Sequence, residues 1–273
     1  MFLLCLVILL CIIFCVLSFL VLFLYLFHRP RREKVDIVYF INTYTNPDTY
    51  QYLMISQLTD LVSMTEFMEN NVHHVWIECC GNDPNFMTHI SKAIPSSILQ
   101  SRVTVTMHPE NNHEYFGIHR VWSLSQSAST APGQDSQDTH NHYILYFHAK
   151  GVSLQKYTEK EPRNSMGKDL FDTVIQPWEK VFTIFQEQPH VDKVGYSFSG
   201  QGFMWYNFWW MRASFAKQLE EPIVTKNRYY YEDYSARKPR DPSSPSGPLT
   251  VQNYHLSPHN CVGLKIAEVW SPE

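Results

Sequence analysis

Four stretches of the chain gather side chains able to do chemistry. His148, Lys150 and Gly151 follow the apolar run at 143–147 (YILYF), and Thr43 follows the run at 35–41 (VDIVYFI). Asn207, Trp209, Trp210 and Arg212 lie within residues 202–212 (GFMWYNFWWMR), and Arg228, Glu232 and Asp233 within residues 228–234 (RYYYEDY). An imidazole, cations, an amide, indole faces and two carboxylates suit a sugar joined to a diphosphate: rings stack on C–H faces, amides and carboxylates bind hydroxyls, and cations neutralise phosphate. Each group also has a plainer reading. Lys150 can be a solvated loop residue, His148 a core histidine, residues 203–211 simple packing with Asn207 the member hardest to bury unpaired, and Glu232-Asp233 an exposed turn.

The elements needed to position these groups alternate along the chain. Strands are predicted at 35–41, 72–77, 102–107, 143–147, 193–198 and 203–211. Helical periodicity appears near 54–62, 89–94, 115–122 and most clearly at 169–185, where Phe171, Val174, Ile175, Trp178, Phe182 and Phe185 share a face. Residues 127–141 read as an exposed insertion and 235–248 as a Pro/Ser-rich loop. The pattern predicts an α/β fold, a mostly parallel sheet with helices on both faces, whose ligand sits beyond the carboxyl ends of the strands.

The segments YILYFHAKG (143–151), 202–212 and 228–234 resemble the successive motifs of the rhamnan-synthesis type of glycosyltransferase: a hydrophobic strand ending in His-x-Lys, an Asn-Phe-Trp-Trp-x-Arg-like element, then Arg followed by an acidic residue. The resemblance runs from residue 35 to about residue 234 and implies a GT-A-like domain, whose bounds are read as 35–273. It would move a hexosyl or deoxyhexosyl group from a nucleoside-diphosphate donor to an acceptor hydroxyl of a glycan or other molecule, with inversion. It implies catalytic roles for Asp233, Glu232 and Lys150, and substrate contacts from Thr43, His148, Gly151, Asn207, Trp209, Trp210, Arg212 and Arg228. GT-A enzymes commonly carry Asp-x-Asp where this chain has His148-Ala149-Lys150; an ammonium cannot ligate a hard cation, so no metal ligand is assigned and Lys150, aided by Arg212 or Arg228, is expected to neutralise the leaving diphosphate. The competing reading is a membrane-tethered carbohydrate-binding or scaffold protein of the same fold without turnover.

Residues 2–27 hold no charge and only two hydroxyl-bearing side chains, Ser18 and Tyr25, and are long enough for a membrane-spanning helix. Residues 1–28 are therefore read as a transmembrane anchor contacting the lipid bilayer, and 29–34 as a basic juxtamembrane segment with Arg29, Arg31, Arg32 and Lys34. The positive-inside rule favours a cytosolic large domain, although many tethered sugar transferases face the Golgi or ER lumen. Three cysteines outside the span and no Asn-x-Ser/Thr sequon agree with the cytosol. A net charge of −4 speaks against nucleic acid as a partner. The 13 histidines raise a metallohydrolase, but no HExxH occurs: His113-Glu114 is followed by His119 six positions on, off a helical zinc-binding face.

Overall fold

The computed structural model describes residues 14–19, 33–127, 141–149, 157–163, 165–196, 204–227, 229–236, 251–256 and 265–267. The chain divides into residues 1–32 and 33–273. Of the first unit, residues 14–19 are helical with exposed side chains. No helix among the described residues is long and apolar enough to cross a membrane. Most of the expected anchor at 1–28 and of the basic segment at 29–34 lies outside the described residues.

The second unit is built on an eight-stranded sheet. Its strands are β1 Lys34–Asn42, β2 Val72–Cys80, β3 Val103–His108, β4 His142–His148, β5 Lys193–Gly195, β6 Trp209–Arg212, β7 Val251–His255 and β8 Lys265–Ala267, in the order β3-β2-β1-β4-β6-β5-β7-β8. β3, β2, β1 and β4 are parallel, β6 is antiparallel to β4 and β5, β5 is parallel to β7, and β8 is antiparallel to β7. β1 is central and buried on both faces, which is why it reads as continuous β-branched and aromatic residues rather than an alternation.

Helices cover both faces, as the alternating pattern requires. Val35, Ile37, Tyr39 and Ile41 point into a core closed by α1 (Tyr50–Ser63), α2 (Thr65–Asn70), α3 (Phe86–Ala93) and α7 (Trp178–Glu187). Between β2 and β3 lies α4 (Ser96–Arg102), and before α7 lies α6 (Ser165–Leu170). Val38 and Phe40 point the other way, towards α5 (Tyr115–Ser127), α8 (Ala213–Ala216) and α9 (Tyr229–Asp233). Gly117 lets α5 lie close against the sheet: a Cβ there would stand 2.8 Å from Phe40 Cβ and 2.9 Å from Tyr146 Cε2. That approach carries the start of α5 to the upper rim of β1 and β4.

Two expected elements differ. The helix expected at 169–185 is α6, a π-helical turn at Phe171–Ile175 and then α7, broken where Pro177 stands at the α7 N-cap and offers no N–H to the preceding turn. The strand expected at 203–211 shrinks to Trp209–Arg212, because Tyr206 and Asn207 adopt φ values of 72° and 50° in a turn.

Two buried carboxylates, Glu78 and Asp36, are held by basic side chains. Glu78 accepts from Arg120 Nε at 2.6 Å and lies 2.7 Å from His108 Nε2. Asp36 sits between His142 Nε2 at 2.7 Å and His73 Nδ1 at 3.3 Å; burial opposes its ionisation, but the bond and charge of His142, the charge of His73 and the bond from Trp76 together lower its pKa.

Candidate functional site

Register brings the four parallel strands to one rim. Phe40 pairs with His148, Asn42 with Cys80, and Cys80 with His108. Side chains lock the loops that leave this rim. Asn42 Oδ1 accepts from Tyr44 N at 3.1 Å, Asn42 Nδ2 donates to Asn111 Oδ1 at 2.7 Å, and Tyr44 OH donates to Pro109 O at 2.6 Å. Thr43 is buried, donates from Oγ1 to Cys80 O at 3.1 Å and fills the space that a Cβ on Gly81 would need. The Cys80 thiol donates to His113 O at 3.6 Å and is pushed up to about 11 by burial, so it remains protonated at neutral pH.

The centre of the rim is Glu114, the residue before α5. Its Oε2 accepts from Asn207 Nδ2 at 2.8 Å and from Tyr146 OH at 3.0 Å, and its Oε1 lies 3.6 Å from His148 Nδ1. Because a carbonyl only accepts, the 2.9 Å contact between His148 Nε2 and Tyr206 O places a proton on Nε2. Asn207 Nδ2 also donates to Tyr231 O at 3.3 Å, and its Oδ1 receives Trp209 Nε1 at 3.5 Å. Burial, then the charge and bond of Glu114, raise the Tyr146 pKa far above its ordinary value, so this hydroxyl acts as a donor.

Backbone strain gathers at the same rim. His113, Tyr206 and Asn207, at φ 53°, 72° and 50°, are the non-glycine residues with positive φ among those described. Left-handed backbone costs an L residue roughly 1–2 kcal/mol. All three adjoin the Glu114–His148–Asn207 cluster, where hydrogen bonds hold them in place, and strain of this kind concentrates at functional sites.

α9 is tied to the cluster through Tyr231 O. Elsewhere it is fixed by Tyr231 OH, which accepts from Thr225 N at 3.1 Å, and the 3₁₀ turn that follows it (Tyr234–Ala236) is fixed by Tyr234 OH donating to Glu220 O at 2.7 Å and by Lys193 Nζ donating to Ser235 O at 2.7 Å. Tyr230, Tyr231 and Tyr234 are buried, whereas Glu232 and Asp233 are partly exposed and directly follow the carbonyl that Asn207 holds.

The rim thus brings together Thr43, His148 and Asn207, with the Glu232-Asp233 pair attached through α9. Three expected substrate contacts belong elsewhere. Trp209 and Trp210 are fully buried on opposite faces of the sheet, Trp209 stacked 5.0 Å from Tyr146 and Trp210 bonded through Nε1 to Val174 O at 2.7 Å, so neither offers a ring face to a sugar. Arg212 pairs with Tyr143 at the start of β4, the opposite end of the strand from His148. Its guanidinium donates to Val191 O at 2.7 Å and Phe185 O at 2.5 Å and lies 4.7 Å from the Phe185 ring, capping the C-terminal end of α7. Arg212→Met is therefore expected to lower stability by about 3–5 kcal/mol, since charge-assisted bonds contribute roughly 1.5–3 kcal/mol each. Urea unfolding measures the loss. Lys150, Gly151 and Arg228 lie outside the described residues; Ala149, just before Lys150, donates from its amide to Phe40 O at 3.0 Å.

Sequence reasoning missed Glu114. Its signal was position: it follows the third strand and opens a helical face, the same strand-end rule that singled out His148. By spacing alone His113-Glu114 reads only as a fragment of a zinc motif.

The end of β4 carries His148-Ala149-Lys150 where two carboxylates would be needed for an Asp-x-Asp ligand pair. His148 Nε2–H is spent on Tyr206 O, Ala149 has no ligating side chain, and Lys150 carries positive charge. Among the described residues no three His, Cys, Asp or Glu side chains are grouped as a ligand set.

No protein-family model matches the chain, and no curated protein matches it either. Solved structures with a related course of the chain include a cytidylyltransferase from Leptospira borgpetersenii serovar Hardjo-bovis, at 13% identity over 73% of this chain and 68% of that one, with a TM-score of 0.37. Another is glucosyl-3-phosphoglycerate synthase from Mycobacterium tuberculosis in complex with Mn²⁺, UDP and glucosyl-3-phosphoglycerate, at 6% identity over 87% of this chain and 88% of that one, with a TM-score of 0.35. Similarity at this level transfers no residue role.

Proposed function

We propose that this protein transfers a sugar from a nucleoside-diphosphate donor to an acceptor hydroxyl, with inversion and without a divalent metal. One observation carries the reading: the loop after β1, the end of β4, the segment leading into α5, the strained Tyr206–Asn207 turn and α9 with its two carboxylates are hydrogen-bonded into one construction at the carboxyl rim of the sheet. Ligands of open α/β sheets bind beyond this rim. In the proposed reaction Asp233 or Glu232 takes the acceptor proton as the hydroxyl attacks the anomeric carbon, and the nucleoside diphosphate leaves with its bonding electron pair. Lys150 and Arg228 stabilise the charge that develops on that diphosphate. Arg212, bonded at the far end of the sheet, has no part in this. His148 and Asn207 hold the turn and α9 in place, and the backbone around Thr43 borders the nucleotide. The rhamnan-synthesis resemblance of the three motifs supports this reading.

Incubation with a panel of nucleotide sugars and hydroxyl acceptors tests the proposal. Turnover should persist in excess EDTA and fall by about 10²–10³-fold in Lys150→Ala, the loss typical when a preorganised stabiliser of developing charge is removed. Strict dependence on added Mn²⁺ or Mg²⁺ would reject the lysine's role. Donor binding with no turnover across the panel would favour the scaffold reading.

We further propose that residues 2–27 anchor the protein in a bilayer with the large domain in the cytosol, on the apolar span and its basic C-terminal flank. Protease added to sealed microsomes should then digest the large domain, whereas protection would place it in the lumen.

A further inference from the structure

Leading away from Glu114, α5 carries a partly exposed aromatic stripe. Tyr115, His119 and Trp122, spaced i, i+4, i+7, lie on one side of the helix, while Gly117, Ile118, Val121 and Ser125 face the sheet. The ring centroids step 5.4 Å from Tyr115 to His119 and 5.7 Å from His119 to Trp122. Each step is close to the length of one pyranose unit in an extended glycan. Glu221 stands beside the middle ring, its Oε1 3.8 Å from His119 Nε2 and its side chain 63% exposed, and Ile223 and Val224 on the same loop are also exposed. Tyr115 and Trp122 rest one side on the core of this face and keep the rest of their surface partly open.

We infer that this stripe is the acceptor subsite for a linear oligosaccharide or polysaccharide. Its reacting end would sit at the Glu114 rim, and its next units would stack on Tyr115, His119 and Trp122 with a hydroxyl donating to Glu221. The inference rests on the proposed transferase reading and adds to it the class of acceptor. Two observations select a glycan over an apolar partner. The stripe begins at the residue next to Glu114 and so continues the rim without a break. Covering it with apolar surface would bury the Glu221 carboxylate against a single imidazole, whereas a polyol supplies donors for it. Aromatic residues give area and C–H stacking at low entropic cost, which suits a ligand with alternating apolar faces and hydroxyl edges.

The experiment is isothermal titration of the full-length protein with malto-, cello-, chito- and mannan-oligosaccharides of one to four units, in the absence of nucleotide. In at least one series affinity should rise stepwise with length. His119→Ala and Trp122→Ala should each weaken the tetrasaccharide about 3- to 10-fold, the range of one aromatic contact, with the monosaccharide less affected. Trp122→Phe should restore most of the loss. His119 is partly exposed, so its variant stays informative if Trp122→Ala fails to fold. No gain with length in any series, or an undiminished tetrasaccharide affinity in folded His119→Ala, would overturn the inference. Length-dependent binding without turnover of any nucleotide sugar would support the glycan subsite and remove the transferase reading instead.

Discussion

Asp233→Asn is expected to lower transfer by about 10²–10⁴-fold, the usual contribution of a positioned general base, with little change in nucleotide affinity. The amide keeps the shape of the carboxylate and one acceptor oxygen but cannot take up the acceptor's proton. Glu232→Gln is the necessary companion. Burial of Tyr230, Tyr231 and Tyr234 turns that side of α9 inward and leaves Glu232 and Asp233 on the outer half of the same turn, so helix geometry alone does not choose between them. One of the two amides should show the large loss in kcat, while the other stays within about tenfold, as for a group that only tunes the local field. The affected variant should also lose the acidic limb of the pH–rate profile, because no carboxylate remains to be deprotonated. Equal, full activity in both variants would remove α9 from the reaction.

Legibility of the fold in the sequence followed the length and purity of each hydrophobic run. Residues 35–41 and 143–147 are apolar on both faces, a pattern that suits a strand buried in the middle of a sheet, and they became the adjacent β1 and β4. The helix of 169–185 was legible as a face but not as a path, since periodicity persists through the π-turn while Pro177 breaks the hydrogen bonding. β7 and β8 left no signal, being three- to five-residue strands in polar sequence. At the site, position after a strand pointed to Thr43 and His148, which the fold brings to one rim because strand ends are set by local sequence, whereas Asn207, expected inside a strand, reaches that rim through the Tyr206–Asn207 turn. A place in or just after the expected strand at 203–211 does not bring Trp209, Trp210 or Arg212 to the rim: both indoles are buried in the core, and Arg212 lies at the other end of the sheet. β6 runs antiparallel to β4, so its carboxyl end is at the opposite rim, and the direction of a short strand is a tertiary property. Glu114 was hidden for a related reason: its three partners come from β4 and from residues 93 positions further on, and no spacing in the sequence records that convergence.

Glu114→Ala should be among the most damaging single changes outside the carboxylate pair. It leaves the Tyr146 hydroxyl and one Asn207 amide hydrogen without their acceptor in a buried setting, at about 1–3 kcal/mol for each orphaned donor. A total near 2–6 kcal/mol corresponds to a fall in Tm of roughly 5–20 °C for a domain of this size. Glu114→Gln keeps one acceptor oxygen but turns an amide donor towards Asn207 Nδ2 or Tyr146 OH, so its loss should be intermediate. The origin of the penalty can be isolated with Tyr146→Phe. The substituted ring has no hydroxyl to orphan, so Glu114→Ala should cost less stability in that background than in the parent, and calorimetry of the four proteins reads the difference as a coupling energy. Activity should fall further than stability predicts. The positive φ of Tyr206 and Asn207 is held through Asn207 and His148, both of which face Glu114, and releasing the turn also releases the Asn207 bond to Tyr231 O that positions α9. Displacement of the carboxylates by about 1 Å is enough to lower turnover some 10²-fold, measured at a temperature where the variant is fully folded. A variant with unchanged Tm and unchanged turnover would show that Glu114 neither holds the rim nor serves the reaction.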